Sequence, residues 1–153
     1  MFTVEGKNSD GQTALNYAVS LNRLQIVEFL LENGAKINEE NKKGYSPLYI
    51  AVSKDFKQIV EIMIKHGANI DLRYLLLTAT KKGYIDIAKI LIANGAKLEE
   101  KDAHDGYTPL ILATLLGESS ILEILLQNGA NVEARDDSGG TVHIAQCCKP
   151  LRL

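Results

Sequence analysis

Apolar residues recur along this chain at two spacings, both helical. Leu15 and Ala18, Leu48 and Ala51, Leu76 and Ala79, and Leu110 and Ala113 are each three apart, on one face of a helix. Some residues further on come apolar doublets four apart: Ile26-Val27 with Leu30-Leu31, Ile59-Val60 with Met63-Ile64, Ile87-Ala88 with Leu91-Ile92, and Ile121-Leu122 with Leu125-Leu126. Doublets at that spacing make a broad stripe for burial against neighbours. Each doublet stretch closes on Asn-Gly or His-Gly, the expected end of a helix whose last turn passes through a left-handed residue. The pattern predicts four pairs of short helices.

The pairs are copies of one unit. The closing glycines are Gly34, Gly67, Gly95 and Gly129, and each lies sixteen residues after Ala18, Ala51, Ala79 or Ala113. The glycine-to-glycine spacing varies instead, from 33 to 28 to 34. A block of fixed length is a packed unit, and the variable segment between blocks is a surface loop. Helices this short do not stand alone in water. They must stack, so the expected fold is an all-α repeat solenoid.

The segments DGQTALNYA, KGYSPLYIA and DGYTPLILA, with the helix ends ENGAKIN and NGANVEARD, resemble the ankyrin-repeat family over roughly residues 8 to 148. The resemblance implies a helix–turn–helix stack with β-hairpin fingers along one edge, and a protein that binds other proteins without chemistry of its own. It divides a single domain, 1–153, into four full repeats at about 8–40, 41–71, 72–100 and 101–135, with a partial fifth at 136–153. The family's motif histidine is replaced by Asn16, Tyr49, Leu77 and Ile111, and kept only at His143. Pro150 and the end of the chain leave the fifth unit a first helix at most.

One finger is short. AKINEENKKGY and AKLEEKDAHDGY fill two of the connections, but between Gly67 and Tyr74 stands only ANIDLR, five residues fewer on alignment at Ala79. The expectation is a notch in the concave side between the second and third repeats, admitting a bulky element of a partner. Loop drift is the plainer reading, since loops tolerate deletion.

In the ankyrin architecture, contacts concentrate on finger tips and first-helix ends. Carried over position by position, the candidate partner-binding residues are Lys42, Lys43, Tyr45 and Lys54, then Arg73 and Lys82, then His104, Tyr107, Leu115 and Leu116. Ser53, Lys81 and Asp105 lie beside them. Lysines supply positive charge, while tyrosine and exposed leucine are common contact anchors. The expected partner is therefore another protein, offering an acidic segment with an apolar anchor. Arg135, Asp136 and Asp137 read as solvated turn residues.

Composition adds mainly exclusions. The 153 residues carry a net charge of −2, which gives no global reason to expect nucleic acid, although Lys42, Lys43, Lys54, Lys81 and Lys82 form a local basic strip. No long apolar run predicts a membrane span, and the polar start MFTVEGKNSDGQ lacks the apolar core of a signal peptide. Cys147 and Cys148, the only cysteines, make neither a disulfide framework nor a zinc spacing, and CCKPLRL is not a prenylation box. No His, Ser, Cys and carboxylate set has the spacing of a catalytic group, Glu39-Glu40 and Glu99-Glu100 read as finger stems, and no phosphate-binding glycine loop is present. His66 reads as a helix-end residue. The expectation is thus no enzyme, no cofactor, no metal, and a cytoplasmic monomer. The alternative is the ankyrin portion of a larger multidomain protein or secreted effector, which would work in a host cytosol.

Overall fold

The computed structural model describes residues 6–70 and 74–141; Arg73, His143, Cys147-Cys148, Pro150 and most of the proposed fifth repeat lie outside them. The described residues hold eight helices: α1 (Ala14–Ser20), α2 (Leu24–Glu32), α3 (Pro47–Ser53), α4 (Lys57–Lys65), α5 (Leu75–Lys82), α6 (Ile85–Ala93), α7 (Pro109–Leu116) and α8 (Ser119–Gln127). The chain divides into two compact units, Met1–Leu72 and Arg73–Leu153. In the first, α1 packs on α2 and α3, and α4 on α2 and α3. In the second, α5 packs on α6 and α7, and α8 on α6 and α7. Each unit is therefore two stacked helix pairs, the solenoid arrangement that the spacing predicts.

The periodic positions form the cores. Leu15, Ala18, Leu48, Ala51, Val27, Ile59 and Met63 are buried in the first unit, and Leu76, Ala79, Leu110, Ala113, Ile87, Leu91, Ile121 and Leu125 in the second. Alanine recurs because its small side chain lets first helices approach closely; a larger residue there would overpack.

Helix ends are fixed by local chemistry. The hydroxyls of Thr13, Ser46 and Thr108 accept from the N–H of Asn16, Tyr49 and Ile111, capping α1, α3 and α7, and Pro47 and Pro109 occupy the first helical position of α3 and α7. Helix α5, which follows the short connection, has none of this. Tyr74 stands at its N-cap with φ 74° and no side-chain cap. A left-handed tyrosine costs about 1–2 kcal/mol.

At the other end, Gly34, Gly67, Gly95 and Gly129 all have φ between 81° and 89°. The alanine after each donates its N–H to a carbonyl five residues back, as Ala35 does to Leu30 at 3.0 Å, and the glycine N–H bonds the carbonyl three back, which together make the Schellman turn. The residue before the glycine adds a bond. Asn33, Asn94 and Asn128 donate Nδ2–H to the carbonyls of Phe29, Ile90 and Ile124 at 2.7–2.8 Å. His66 Nδ1 sits 2.9 Å from the Ile62 carbonyl; the acceptor is an oxygen, so that nitrogen carries the hydrogen. His66 is thus a helix-end residue, as its position in the sequence suggests.

Candidate functional site

Within the described residues the fingers are built of turns rather than extended strands. Among the described residues the only β pairing is an isolated bridge between Arg135 and Thr141. Four tips are held instead by an Asn or Asp side chain set three or four residues before a glycine. Asn8 Oδ1 accepts from the N–H of Asp10 and Gln12 at 3.0 and 2.9 Å, and Asn41 Oδ1 from Lys43 and Tyr45 at 2.9 and 3.1 Å. In the second unit Asp102 Oδ1 accepts from Asp105 and Tyr107 at 3.0 and 3.1 Å, and Asp136 Oδ1 from Ser138 and Gly140 at 2.9 and 2.8 Å. Those of Asn8, Asn41 and Asp136 are Asx turns, in which the side chain stands in for a backbone carbonyl, and Asp102 does the same across a loop one residue longer. Asp136 is therefore the organiser of its tip rather than a merely solvated turn residue.

Neighbouring tips within a unit are joined by backbone. Lys42 N–H donates to the Asp10 carbonyl at 3.1 Å, and Asp137 N–H to the Asp105 carbonyl at 3.0 Å. The covered tip has no room for a side chain at its glycine. A Cβ on Gly11 would lie 2.8 Å from Lys42 Cγ and 3.0 Å from its backbone nitrogen, and one on Gly106 would collide with the Asp137 carboxylate. Stems add side-chain ties: Asn16 Nδ2 donates to the Glu39 carbonyl at 3.1 Å, Lys7 pairs with Glu39 at 2.6 Å, and Lys101 with Asp137 at 3.2 Å. Asn16 Oδ1 is buried without a hydrogen-bond partner among the described residues.

These contacts set the electrostatics. The hydrogen bond and charge of Lys7 hold the Glu39 carboxyl below its usual range. Burial pushes Asp102 up, but the N–H groups of Tyr107, Asp105, Gly106 and His104 outweigh it, and the net shift is downward. The Ser138 hydroxyl and the Gly140 N–H lower Asp136. The Asp105 carboxylate, then burial and the Asp136 and Asp102 carboxylates, push the Tyr107 hydroxyl up.

The structure distributes the sequence-predicted residues as follows. In the first unit Lys42 and Lys43 are exposed on the second tip. Tyr45 stacks on Tyr49 with centroids 4.7 Å apart, yet keeps 41% of its surface exposed. Lys54 is exposed, but its ammonium donates to the Ser20 carbonyl at the end of α1 at 2.9 Å and lies 5.9 Å from the Phe56 ring. In the second unit Lys82 is exposed beside the Tyr84 ring, His104 is exposed at the fourth repeat's tip, and Tyr107 is half-buried below it. Leu115 and Leu116 are both exposed, 60% and 49%, at the end of α7. Arg73 lies outside the described residues.

Sequence reasoning passed over a second exposed apolar set. Tyr17, Ile26 and Phe29 on the first helix pair are half or more exposed. Of the same positions one repeat later, Ile50 and Ile59 are buried and Ile62 is half-buried. Identical periodicity hides this difference, because a residue's type does not reveal whether a neighbour stacks on it.

Among the described residues, no group of three or more His, Cys, Asp or Glu could hold a metal ion, and no helix is long and apolar enough to cross a membrane. No curated protein gives a significant match to the chain. The family model for ankyrin repeats (3 copies) matches residues 2–74 and 71–136. With that match over most of its length, and with capped helix pairs repeating at ankyrin spacing, the chain belongs to the ankyrin-repeat family, whose members are generally non-enzymatic modules for protein–protein interaction.

Proposed function

We propose that the chain binds a second protein through finger tips and first-helix ends, taking an acidic segment that carries an apolar side chain. The observation that carries this reading is the pair Leu115 and Leu116. Both stand exposed side by side at the end of α7, 60% and 49%. Two adjoining exposed leucines in a small domain make an apolar anchor point, which is what interaction surfaces concentrate. Tyr107 and His104 at the neighbouring tip and Lys82 at the end of α5 belong to the same reading. In the first unit the Tyr45–Tyr49 stack supplies apolar surface, with Lys42 and Lys43 as basic groups beside it. Lys54 keeps its charge, but one of its ammonium donors is already given to the Ser20 carbonyl, which holds the side chain toward the end of α1. The module works as a monomer in an intracellular setting, with no nucleic acid and no membrane as partner.

Affinity capture with the intact chain, followed by binding measurements on variants, tests this. Leu115→Ala with Leu116→Ala should weaken a captured partner by about 1–2 kcal/mol, chiefly through faster dissociation. Lys43→Glu should slow association and reduce its salt dependence. A partner indifferent to these changes but lost with Glu28→Lys, on the exposed side of α2, would place the site on the second helices and sink the assignment.

A further inference from the structure

Three of the four second helices end in Asn-Gly, at Asn33-Gly34, Asn94-Gly95 and Asn128-Gly129; the fourth ends in His66-Gly67. Asn-Gly is the dipeptide in which asparagine most readily loses its amide, because glycine has no side chain to shield its nitrogen or to limit the backbone rotation that brings it to the asparagine Cγ. All six residues are exposed to water. The folded geometry nevertheless opposes the reaction. Ring closure needs the glycine nitrogen swung to the Cβ side of the asparagine Cα–C bond. The asparagine ψ angles are 18°, 15° and 9°, which turn that nitrogen away from the side chain. Each glycine N–H is also donated to a carbonyl, of Leu31, Ile92 or Leu126, at 3.0–3.1 Å. Each asparagine amide is pinned by its own bond to the helix, at 2.7–2.8 Å.

We propose that these three repeat ends are latent deamidation sites, held shut by the folded cap and exposed to reaction whenever the end of a second helix unwinds. In the opened end the deprotonated glycine nitrogen attacks Cγ. The new N–C bond closes a five-membered succinimide, the bond from Cγ to Nδ2 breaks, and Nδ2 leaves as ammonia after taking up a proton from solvent. Water then opens the ring at either carbonyl, giving aspartate or isoaspartate; water is the only co-reactant. Neither product restores the cap. Aspartate lacks the Nδ2–H donor and sets a negative charge against the carbonyl end of the helix. Isoaspartate lengthens the main chain by a carbon and moves the following Gly-Ala out of register for the Schellman turn. Each opening that reacts is thus recorded irreversibly. The second repeat is exempt, because His66 makes the equivalent bond with a side chain that cannot form the ring.

The intact chain, held in mildly alkaline buffer with and without denaturing guanidinium, supplies the test, with peptide mass mapping to follow each asparagine. In denaturant the three Asn-Gly sites should convert at similar rates, ahead of the remaining asparagines. In native buffer each should be slower by at least about tenfold. Ala51→Leu, which overpacks the core of the first unit, should speed Asn33 in native buffer relative to Asn94 and Asn128. Equal rates with and without denaturant would overturn the proposal. So would an Ala51→Leu chain with a lowered thermal midpoint but an unchanged Asn33 rate.

Discussion

The two units build the same finger tip from different residues. Asn8 and Asn41 hold the tips of the first unit, Asp102 and Asp136 those of the second, and donor distances are alike at 2.8–3.1 Å. The turn needs an oxygen at the right reach, and amide and carboxylate both provide it. What differs is charge. The aspartates gather with Asp105 and Asp137 around one pair of tips, lift the Tyr107 hydroxyl, and titrate; the asparagines do neither. Donor distances are alike in the two units, although Asp102 reaches three and five residues ahead where the other three reach two and four, while the response to solvent differs.

The largest expected effect tests whether tip geometry is as alike as it looks. Gly106 is covered by the next tip, while the nearest atom to a Cβ on Gly44 would be Glu40 Oε2, 3.9 Å away. Both have positive φ, 70° and 74°. Gly44→Ala should therefore cost about 1 kcal/mol from the left-handed backbone alone. Gly106→Ala should cost about 2 kcal/mol or more, because the Asp137 tip must also move. Denaturant midpoints of the two variants measure the difference, and equal losses would mean the tip-to-tip contact carries no energy.

A smaller effect tests the charge. Asp102 and Asp136 are both held below the usual carboxylate range, so their caps are at full strength above the unfolded value near 3.9 and are lost as pH falls through the lower folded values. In an NMR titration the amides of Asp105, Tyr107, Ser138 and Gly140 should shift below about pH 4, while Lys43 and Tyr45 stay put. Glu39 also loses its Lys7 partner on acidification, but that bond ties a stem and leaves the Asn41 tip untouched. Asp102→Asn should diminish the titration at Tyr107, and Asn41→Asp should create one at Lys43 and Tyr45. The smallest effect is expected from Ser138→Ala. Removing the hydroxyl that most lowers Asp136 should raise the midpoint at Gly140 toward the ordinary aspartate value, with no change at Tyr107.

The helix pairs were legible because each depends on local residues: a leucine and alanine three apart, a doublet stripe, and a glycine that must pass through positive φ. The short connection was legible by counting, and the two adjoining leucines by their repeat position. The finger tips were not, although a signal was present. Asn or Asp stands before Gly11, Gly44, Gly106 and Gly139 in each full-length finger, but the spacing slips by one residue in the fourth repeat, and Asp136 looks like any solvated aspartate. Lys54 shows the other limit. Its sequence position marks an exposed cation, and only the fold reveals the Ser20 carbonyl that engages it. Tyr74 was equally hidden, since nothing in its side chain announces a left-handed backbone.

The interchangeable tip residue also has a genetic meaning. Asparagine and aspartate codons differ only in their first base, so one point mutation moves a finger between the two chemistries without disturbing its turn. A repeat array built this way can acquire or lose acid sensitivity one finger at a time. Each step leaves the helices, their glycine ends and the tip-to-tip bonds as they were, and selection can act on the response to pH separately from the fold.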